Sequence, residues 1–230
     1  MFNRKSAFAS VLMITAAMTA LAAPRPIAPS AQDILDGVRL RQAQQQIEVR
    51  GQLRQEDMIV PFELIESGPR VRYVFANPAE TLQLQIGEND SRLELITKSG
   101  AEKVAPAEFD RKVRGTDVTY EDLSLKFLYW PNAQIVGSDL IRTRGCWKLQ
   151  LRAPNQRSQY GSILLWVDKT GGELLRMEGY NGSGQMIRRF EVVAAQKIDN
   201  RWFLKRMRIE ALQPGTNHVV SRTYLEIKDK

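Results

Sequence analysis

The dominant constraint on this chain is a period of two. Ile47, Val49, Gly51 and Leu53 alternate with Glu48, Arg50, Gln52 and Arg54, and the pattern returns at Val60/Phe62/Leu64, Val71/Tyr73/Phe75, Leu82/Leu84/Ile86 and Leu93/Leu95. Side chains two apart share one face of a strand, so each run describes a strand with one face buried. Turn formers separate the runs, among them Ser67-Gly68-Pro69, Asn77-Pro78 and Glu88-Asn89-Asp90, which makes these five strands consecutive and antiparallel. The second half repeats the theme near Ile135 to Thr143, then at Leu149/Leu151, Ile163/Leu165/Val167, Leu175/Met177, Phe190/Val192, Phe203/Met207/Ile209 and Val219/Thr223/Leu225/Ile227. Gly171-Gly172, Asn181-Gly182-Ser183-Gly184 and Asp199-Asn200 supply hairpin turns. The expected fold class is mainly β, with about eleven strands at the spacing of a sandwich or barrel. A sheet that wide cannot stay flat, because strand twist accumulates. It must curl around something: its own side chains in a small closed barrel, or a ligand where closure is incomplete.

Helices are few. Ser30 and Asp33 form a capping pair ahead of Ile34, Leu35 and Val38, which predicts one amphipathic helix from Ala31 to about Ala43, preceded by an extended arm from Pro24 to Pro29. Between Ala101 and Trp130 the alternation breaks. Pro106-Ala107-Glu108-Phe109 reads as a short helix, and so does Thr119 to Leu128, where Thr119 caps, Asp122 follows three residues on and Pro131 stops the run. No repeat or low-complexity tract divides the chain, so residues 23–230 are expected to be one domain.

The N-terminus has its own logic. Arg4 and Lys5 precede an uncharged run, Ala7 to Ala23, that ends in Thr19-Ala20-Leu21-Ala22-Ala23. This is the pattern of a secretory signal peptide. Ala20 and Ala22 satisfy the small-x-small rule for cleavage after Ala22, giving a signal peptide at 1–22, whereas cleavage after Ala23 would place Pro24 directly behind the cut. A single membrane anchor is the competing reading, but the run is short for a hydrocarbon core and three prolines follow it closely. No cysteine follows the run for lipid attachment. The mature protein is expected to be soluble in the periplasm.

Composition removes much chemistry. With 43% hydrophobic and 26% charged residues the chain is neither disordered nor a multi-span membrane protein. One cysteine and one histidine exclude an internal disulfide framework, a Cys/His zinc site and any mechanism needing two imidazoles. No metal, cofactor or catalytic residue is expected. Cys146 reads as a buried core thiol and His218, beside the Pro214-Gly215-Thr216-Asn217 turn, as a solvated side chain. Glu121 and Asp122 are adjacent, so they diverge by about 100° on a helix and complement its dipole rather than acting as paired catalytic carboxylates. Lysine and arginine total 33 against 26 acidic residues; with Arg4 and Lys5 removed, 31 remain and the balance is +5. The clusters Arg142/Arg144, Lys148/Arg152, Arg188-Arg189 and Lys205-Arg206-Arg208 alternate with apolar residues, as on the solvated face of strands. Export argues against nucleic acid as a partner, while peripheral contact with an anionic membrane surface fits the charge.

Gly115-Thr116-Asp117-Val118-Thr119-Tyr120-Glu121-Asp122-Leu123, followed by Trp166-Val167-Asp168, Glu178-Gly179-Tyr180, Gly184 and Arg189-Phe190-Glu191-Val192, resembles the outer membrane lipoprotein-sorting protein family, the LolA-like periplasmic carriers. The resemblance spans most of residues 23–230. It implies an incomplete antiparallel β-barrel whose concave face, lidded by short helices, holds acyl chains of lipoproteins or lipids for sorting toward the outer membrane, with an inner-membrane transporter as a candidate partner. Two groups of site residues follow from alternation and resemblance together. Val71, Tyr73, Phe75, Leu82, Leu84, Leu93 and Leu95 are the candidate acyl-chain cavity, with Met58, Met177 and Met207 as adaptable wall residues. Tyr120, Leu123 and Phe127, spaced i, i+3, i+7, are the inward face of a lid over Thr116 to Leu128. Two alternatives stay open: the apolar residues pack on one another and need no ligand, or the same fold serves as a sensor or interaction module that binds lipoproteins or a membrane-protein partner.

Overall fold

The computed structural model describes residues 28–198 and 201–228; the expected signal peptide lies outside the described residues. Helix α1 (Ala31–Gln42) opens the fold, and Ser30 and Asp33 form the reciprocal capping box the sequence predicts. The strands are β1 (Gln46–Gln55), β2 (Met58–Ser67), β3 (Arg70–Phe75), β4 (Glu80–Ile86), β5 (Ser91–Thr97), β6 (Gly100–Lys103), β7 (Gln134–Ile141), β8 (Arg144–Arg152), β9 (Ser162–Asp168), β10 (Leu174–Tyr180), β11 (Met186–Ile198), β12 (Arg201–Leu212) and β13 (Val219–Ile227). Thirteen strands exceed the eleven or so that the sequence predicts, and the one with no alternating run behind it is β6, four exposed residues.

These thirteen strands form one open antiparallel sheet in the order β6-β5-β4-β3-β2-β1-β13-β12-β11-β10-β9-β8-β7. Two meanders, β1 to β6 and β7 to β13, meet where β1 pairs with β13 through Gly51↔Ile227, Leu53↔Leu225 and Gln55↔Thr223. The consequence is topological: β6 and β7 are consecutive in the chain yet lie at opposite edges of the sheet. The connection between them therefore runs from one edge to the other, and it does so as a strap across one face.

The strap contains the short helical turns Pro106–Glu108, Val113–Gly115 and Lys126–Tyr129, with α2 (Tyr120–Ser124) between them. Here the structure corrects the sequence reading. Thr119 to Leu128 is not one helix: Leu125 adopts the left-handed conformation at φ 51° and ends α2 after five residues. Tyr120 and Phe127 thus belong to different turns rather than to one helical face.

The strap and α1 bury the inner face in two clusters. Val104, Val113, Val118 and Tyr120 cover the β1 to β5 half, joined by Ile209 and Ile227. Ile34, Leu35, Val38, Phe127, Leu128 and Trp130 cover Leu149, Leu151, Ile163, Leu165 and Met177. The outer face is an ion-pair ladder instead of the loosely solvated cations expected from alternation. Arg176 and Arg208 flank Glu191, while Arg189, Arg208 and Arg222 converge on Glu210, itself 3% exposed. Cys146 is a fully buried free thiol, pushed up by desolvation, and His218 is exposed, both as expected.

Candidate functional site: an apolar face under a fastened strap

The seven candidate cavity residues do share one face. Val71 lies opposite Leu84 and Leu84 opposite Leu93, forming one cross-strand row; Tyr73, Leu82 and Leu95 form the next. Phe75 continues the β3 face, and Phe62 sets its ring edge-on to both Tyr73 and Phe75, at 5.9 and 6.1 Å between centroids. Val71, Phe75, Leu82, Leu84 and Leu93 are each 3% exposed or less, while Tyr73 and Leu95 are half-buried. In this state the face is filled by the strap. The cavities of about 270 Å³, at Phe109, Glu121 and Gln159, and about 440 Å³, at Gln52, Arg206 and Glu226, involve none of the seven. Of the three methionines, Met177 and Met207 pack into the interior clusters. Met58 does not: it is 42% exposed at the β1–β2 hairpin and forms no wall.

Of the lid residues, Tyr120 packs in the first cluster and Phe127 in the second, with Leu123 half-buried against the first. Besides these buried apolar residues, polar groups hold the strap to the sheet. Tyr120 donates its hydroxyl to Glu80 at 2.9 Å, and Arg114, paired with the same carboxylate at 2.9 Å, lies 5.0 Å over the Phe75 ring. Burial, together with the Glu80 carboxylate, pushes the Tyr120 phenol up to about 12. Asp117 accepts from Lys112 at 2.7 Å and from the Ser221 hydroxyl of β13, and its backbone N–H donates to Gln55 of β1 at 2.8 Å. Burial opposes the Asp117 charge, but these hydrogen bonds outweigh it and hold the carboxyl below its ordinary range. Ser91 of β5 donates to the Ser124 carbonyl at 2.6 Å.

The loop between β8 and β9 forms a second fastening. Tyr160 donates to Asp122 Oδ1 at 2.5 Å, the Gln159 backbone N–H donates to Glu121 at 2.9 Å, and Ser158 also donates to Glu121. Sequence reading treats Glu121 and Asp122 as dipole partners only. In the structure both are buried, and desolvation pushes both carboxyls up while these hydrogen bonds oppose it. Arg188 of β11 is the second missed residue. It is 9% exposed on the inner face, its charge lowers the Asp117 and Asp122 carboxyls, and its Nη1 has no hydrogen-bond partner. Tyr160 reaches this place because position 179 is glycine: a Cβ there would meet the Tyr160 ring at 2.2 Å. A carboxylate pair in a helix's first turn hides in sequence as dipole complementarity. Only the glycine in Glu178-Gly179-Tyr180 hints that a large side chain approaches. Among the described residues, no cluster of three or more His, Cys, Asp or Glu is placed to hold a metal, and no helix is long and apolar enough to cross a membrane.

The open antiparallel sheet is a LolA-like fold, as comparison with solved structures shows. An outer membrane lipoprotein-sorting protein domain from Vibrio parahaemolyticus superposes with TM-score 0.65 at 13% identity, covering 87% of this chain and 90% of that one. A DUF1329 family protein from Desulfovibrio piger gives 0.62 at 16% identity over 86% and 90%. A LolA superfamily protein from Nitrosomonas europaea gives 0.60 at 15% identity over 88% and 93%. At such identities the likeness defines the fold. No curated protein matches the chain. A family model described as an uncharacterized protein matches residues 97–230, more than half of the chain, and the chain belongs to that family.

Proposed function

We propose that this protein is a non-enzymatic periplasmic carrier that shields acyl chains of lipoproteins or lipids against the inner sheet face when the strap is displaced. The observation that carries this reading is the mismatch between the face and its cover. Val71, Phe75, Leu82, Leu84 and Leu93 form a continuous apolar surface, and the strap that covers it with Val113, Val118 and Tyr120 is fixed through its middle, residues 117–122, by side-chain hydrogen bonds to Glu80, Gln55, Ser221 and the 158–160 loop. Such bonds exchange readily for bonds to water when the strap swings away. The apolar face then needs a new partner. An acyl chain crossing water exposes methylenes at about 0.8 kcal/mol each, so face and cargo each solve the other's hydration problem. Tyr120, Leu123 and Phe127 are the strap residues that leave or re-pack. A signal peptide at 1–22 delivers the protein to the compartment where this task exists, and N-terminal sequencing of the mature chain is expected to begin at Ala23.

The test is displacement of a fluorescent fatty-acyl probe. The protein is expected to bind the probe, a diacylated or triacylated peptide to displace it, and the same peptide without acyl chains to leave it in place. Leu84→Glu and Phe75→Asp place a charge on the face and are expected to abolish binding in protein that keeps its circular dichroism spectrum. Equal displacement by the unacylated peptide would overturn the carrier reading in favour of a protein-sensing module.

A further inference from the structure

The β11–β12 hairpin outruns both its neighbours. β10 pairs with β11 only between Arg176↔Glu191 and Tyr180↔Met186, and β13 pairs with β12 only between Arg206↔Glu226 and Leu212↔Val219. Residues 192–198 and 201–205 therefore continue as a two-stranded ribbon, paired at Ala195↔Leu204, Gln196↔Phe203 and Lys197↔Trp202. Register shifts between Val192 and Ala194 and between Ala194 and Ala195 mark irregular pairing at its base, where bulges bend and twist a ribbon away from the sheet.

What this ribbon presents is unlike the rest of the outer surface. Trp202 is 62% exposed, directly across from the exposed Lys197. At the base lies the cavity of about 440 Å³, lined by Gln52, Ala194, Lys205, Arg206, Glu226, Ile227 and Lys228. Its lone carboxylate, Glu226, is engaged by Arg54 at 2.9 Å and Gln52 at 2.8 Å, and these contacts, with the charge of Arg206 opposite it on β12, hold it below its ordinary range. Lys205, Arg206 and Lys228 are all exposed.

We propose that the β11–β12 ribbon is a membrane-docking element, which sets the Trp202 indole at the headgroup level of an anionic bilayer and places Lys197, Lys205, Arg206 and Lys228 against lipid phosphates. An indole is apolar in body and polar at its N–H, the combination that favours the water–lipid boundary, and each cation near an anionic leaflet adds to the attraction. The lysine content favours a lipid surface over a protein partner: lysine is depleted in protein interfaces, whereas a charged membrane attracts lysine and arginine alike. The proposal stands apart from the cargo reading, since it concerns the outer face and an extended hairpin, and acyl-probe binding by the inner face is expected to survive its failure.

The experiment is flotation with vesicles of two parts phosphatidylcholine to one part phosphatidylglycerol, beside vesicles of phosphatidylcholine alone. The mature protein is expected to float with the anionic vesicles, far less with the neutral ones, and to be released by salt. Replacing Lys197, Lys205 and Lys228 together by glutamine is expected to weaken partitioning on the order of a hundredfold. Trp202→Ala is expected to weaken it as well and to remove most of the quenching of tryptophan fluorescence by brominated lipid, since Trp130 and Trp166 are buried and Trp147 is half-buried against the second interior cluster. Both variants leave the interior clusters untouched, and an unchanged circular dichroism spectrum and denaturant midpoint serve as the check that they fold. Equal binding to neutral and anionic vesicles, binding indifferent to these substitutions, or equally tight binding to soluble polyglutamate would each overturn the proposal, the last in favour of an acidic protein partner.

Discussion

The Asp122→Asn substitution isolates the strap's fastening from the rest of the fold. Asp122 is 8% exposed; its Oδ1 accepts from Tyr160 at 2.5 Å and from Gln159 at 3.4 Å, and its Oδ2 accepts from the Thr119 N–H at 2.8 Å. Asparagine keeps the shape and one acceptor, but offers an NH₂ where one carboxylate oxygen stood. It also removes a negative charge that the Arg188 guanidinium attracts, but burial makes that charge costly and holds the carboxyl above its ordinary range, so removing it offsets part of the loss. A hydrogen bond to a charged group is worth about 1.5–3 kcal/mol, and with the relief of desolvation set against it the closed strap should lose roughly 1.5 kcal/mol. At about 1.36 kcal/mol per decade, the open population rises on the order of tenfold. Native-state hydrogen exchange reads this directly. The N–H of Asp117 bonds the Gln55 side chain of β1 at 2.8 Å and that of Val104 the Leu93 carbonyl of β5 at 2.9 Å, so both report the strap parting from the sheet. Their exchange is expected to accelerate by about that factor, with amides of β4 and β5 changing much less. The acyl probe should bind faster. If strap and β4 amides accelerated together, the strap would open only with global unfolding, and the argument for a separable cover would be refuted.

Three further outcomes follow from the same geometry. Asp117 and Asp168 have folded pKa values below their unfolded ones, because hydrogen bonds from Lys112 and Ser221, and from Arg144, outweigh the burial that opposes them. Their stabilisation is complete above the unfolded value near 3.9 and is lost as pH falls from there through the folded value, so Asp168→Asn should flatten the acid limb of stability, measured by denaturant midpoint against pH. Glu121 and Asp122, pushed up by burial, act with the opposite sign and in a higher window: their contribution is present below the unfolded value and is lost as pH rises from there through the folded one. Gly179→Ala puts a methyl 2.2 Å from the Tyr160 ring and should cost about 1–3 kcal/mol in a chemical melt, with loosening confined first to the 158–160 loop and the strap; an unchanged midpoint would contradict the close approach. Cys146, fully buried with its thiol pushed up, should resist a thiol reagent until the protein unfolds.

The strands, their faces and the capped helix α1 were legible in the sequence because the physics behind them is local. A period of two assigns Val71, Tyr73 and Phe75 to one face whatever lies opposite, and Ser30 with Asp33 caps a helix from three residues away. The motif from Gly115 to Leu123 was legible as a unit, but its work was not. Its partners Gln55, Glu80, Tyr160 and Ser221 lie on strands and a loop that no local pattern ties to it. Two backbone facts also escaped: β6 forms from Gly-Ala-Glu-Lys, where ladder bonds to β5 act without an apolar face, and Leu125 turns left-handed and divides the expected lid helix. The basic residues show the same limit, since alternation puts Arg188 and Arg208 on faces but does not reveal that one is buried inside and the other paired outside. The decisive step was tertiary. Pairing of β1 with β13 brings Gln52 to Glu226 across 174 residues of chain and makes β6 and β7 opposite edges, so the segment between them must cross the apolar face. Which strand neighbours which is set by long-range ladders and by the burial they allow; a side chain's periodicity carries no record of it.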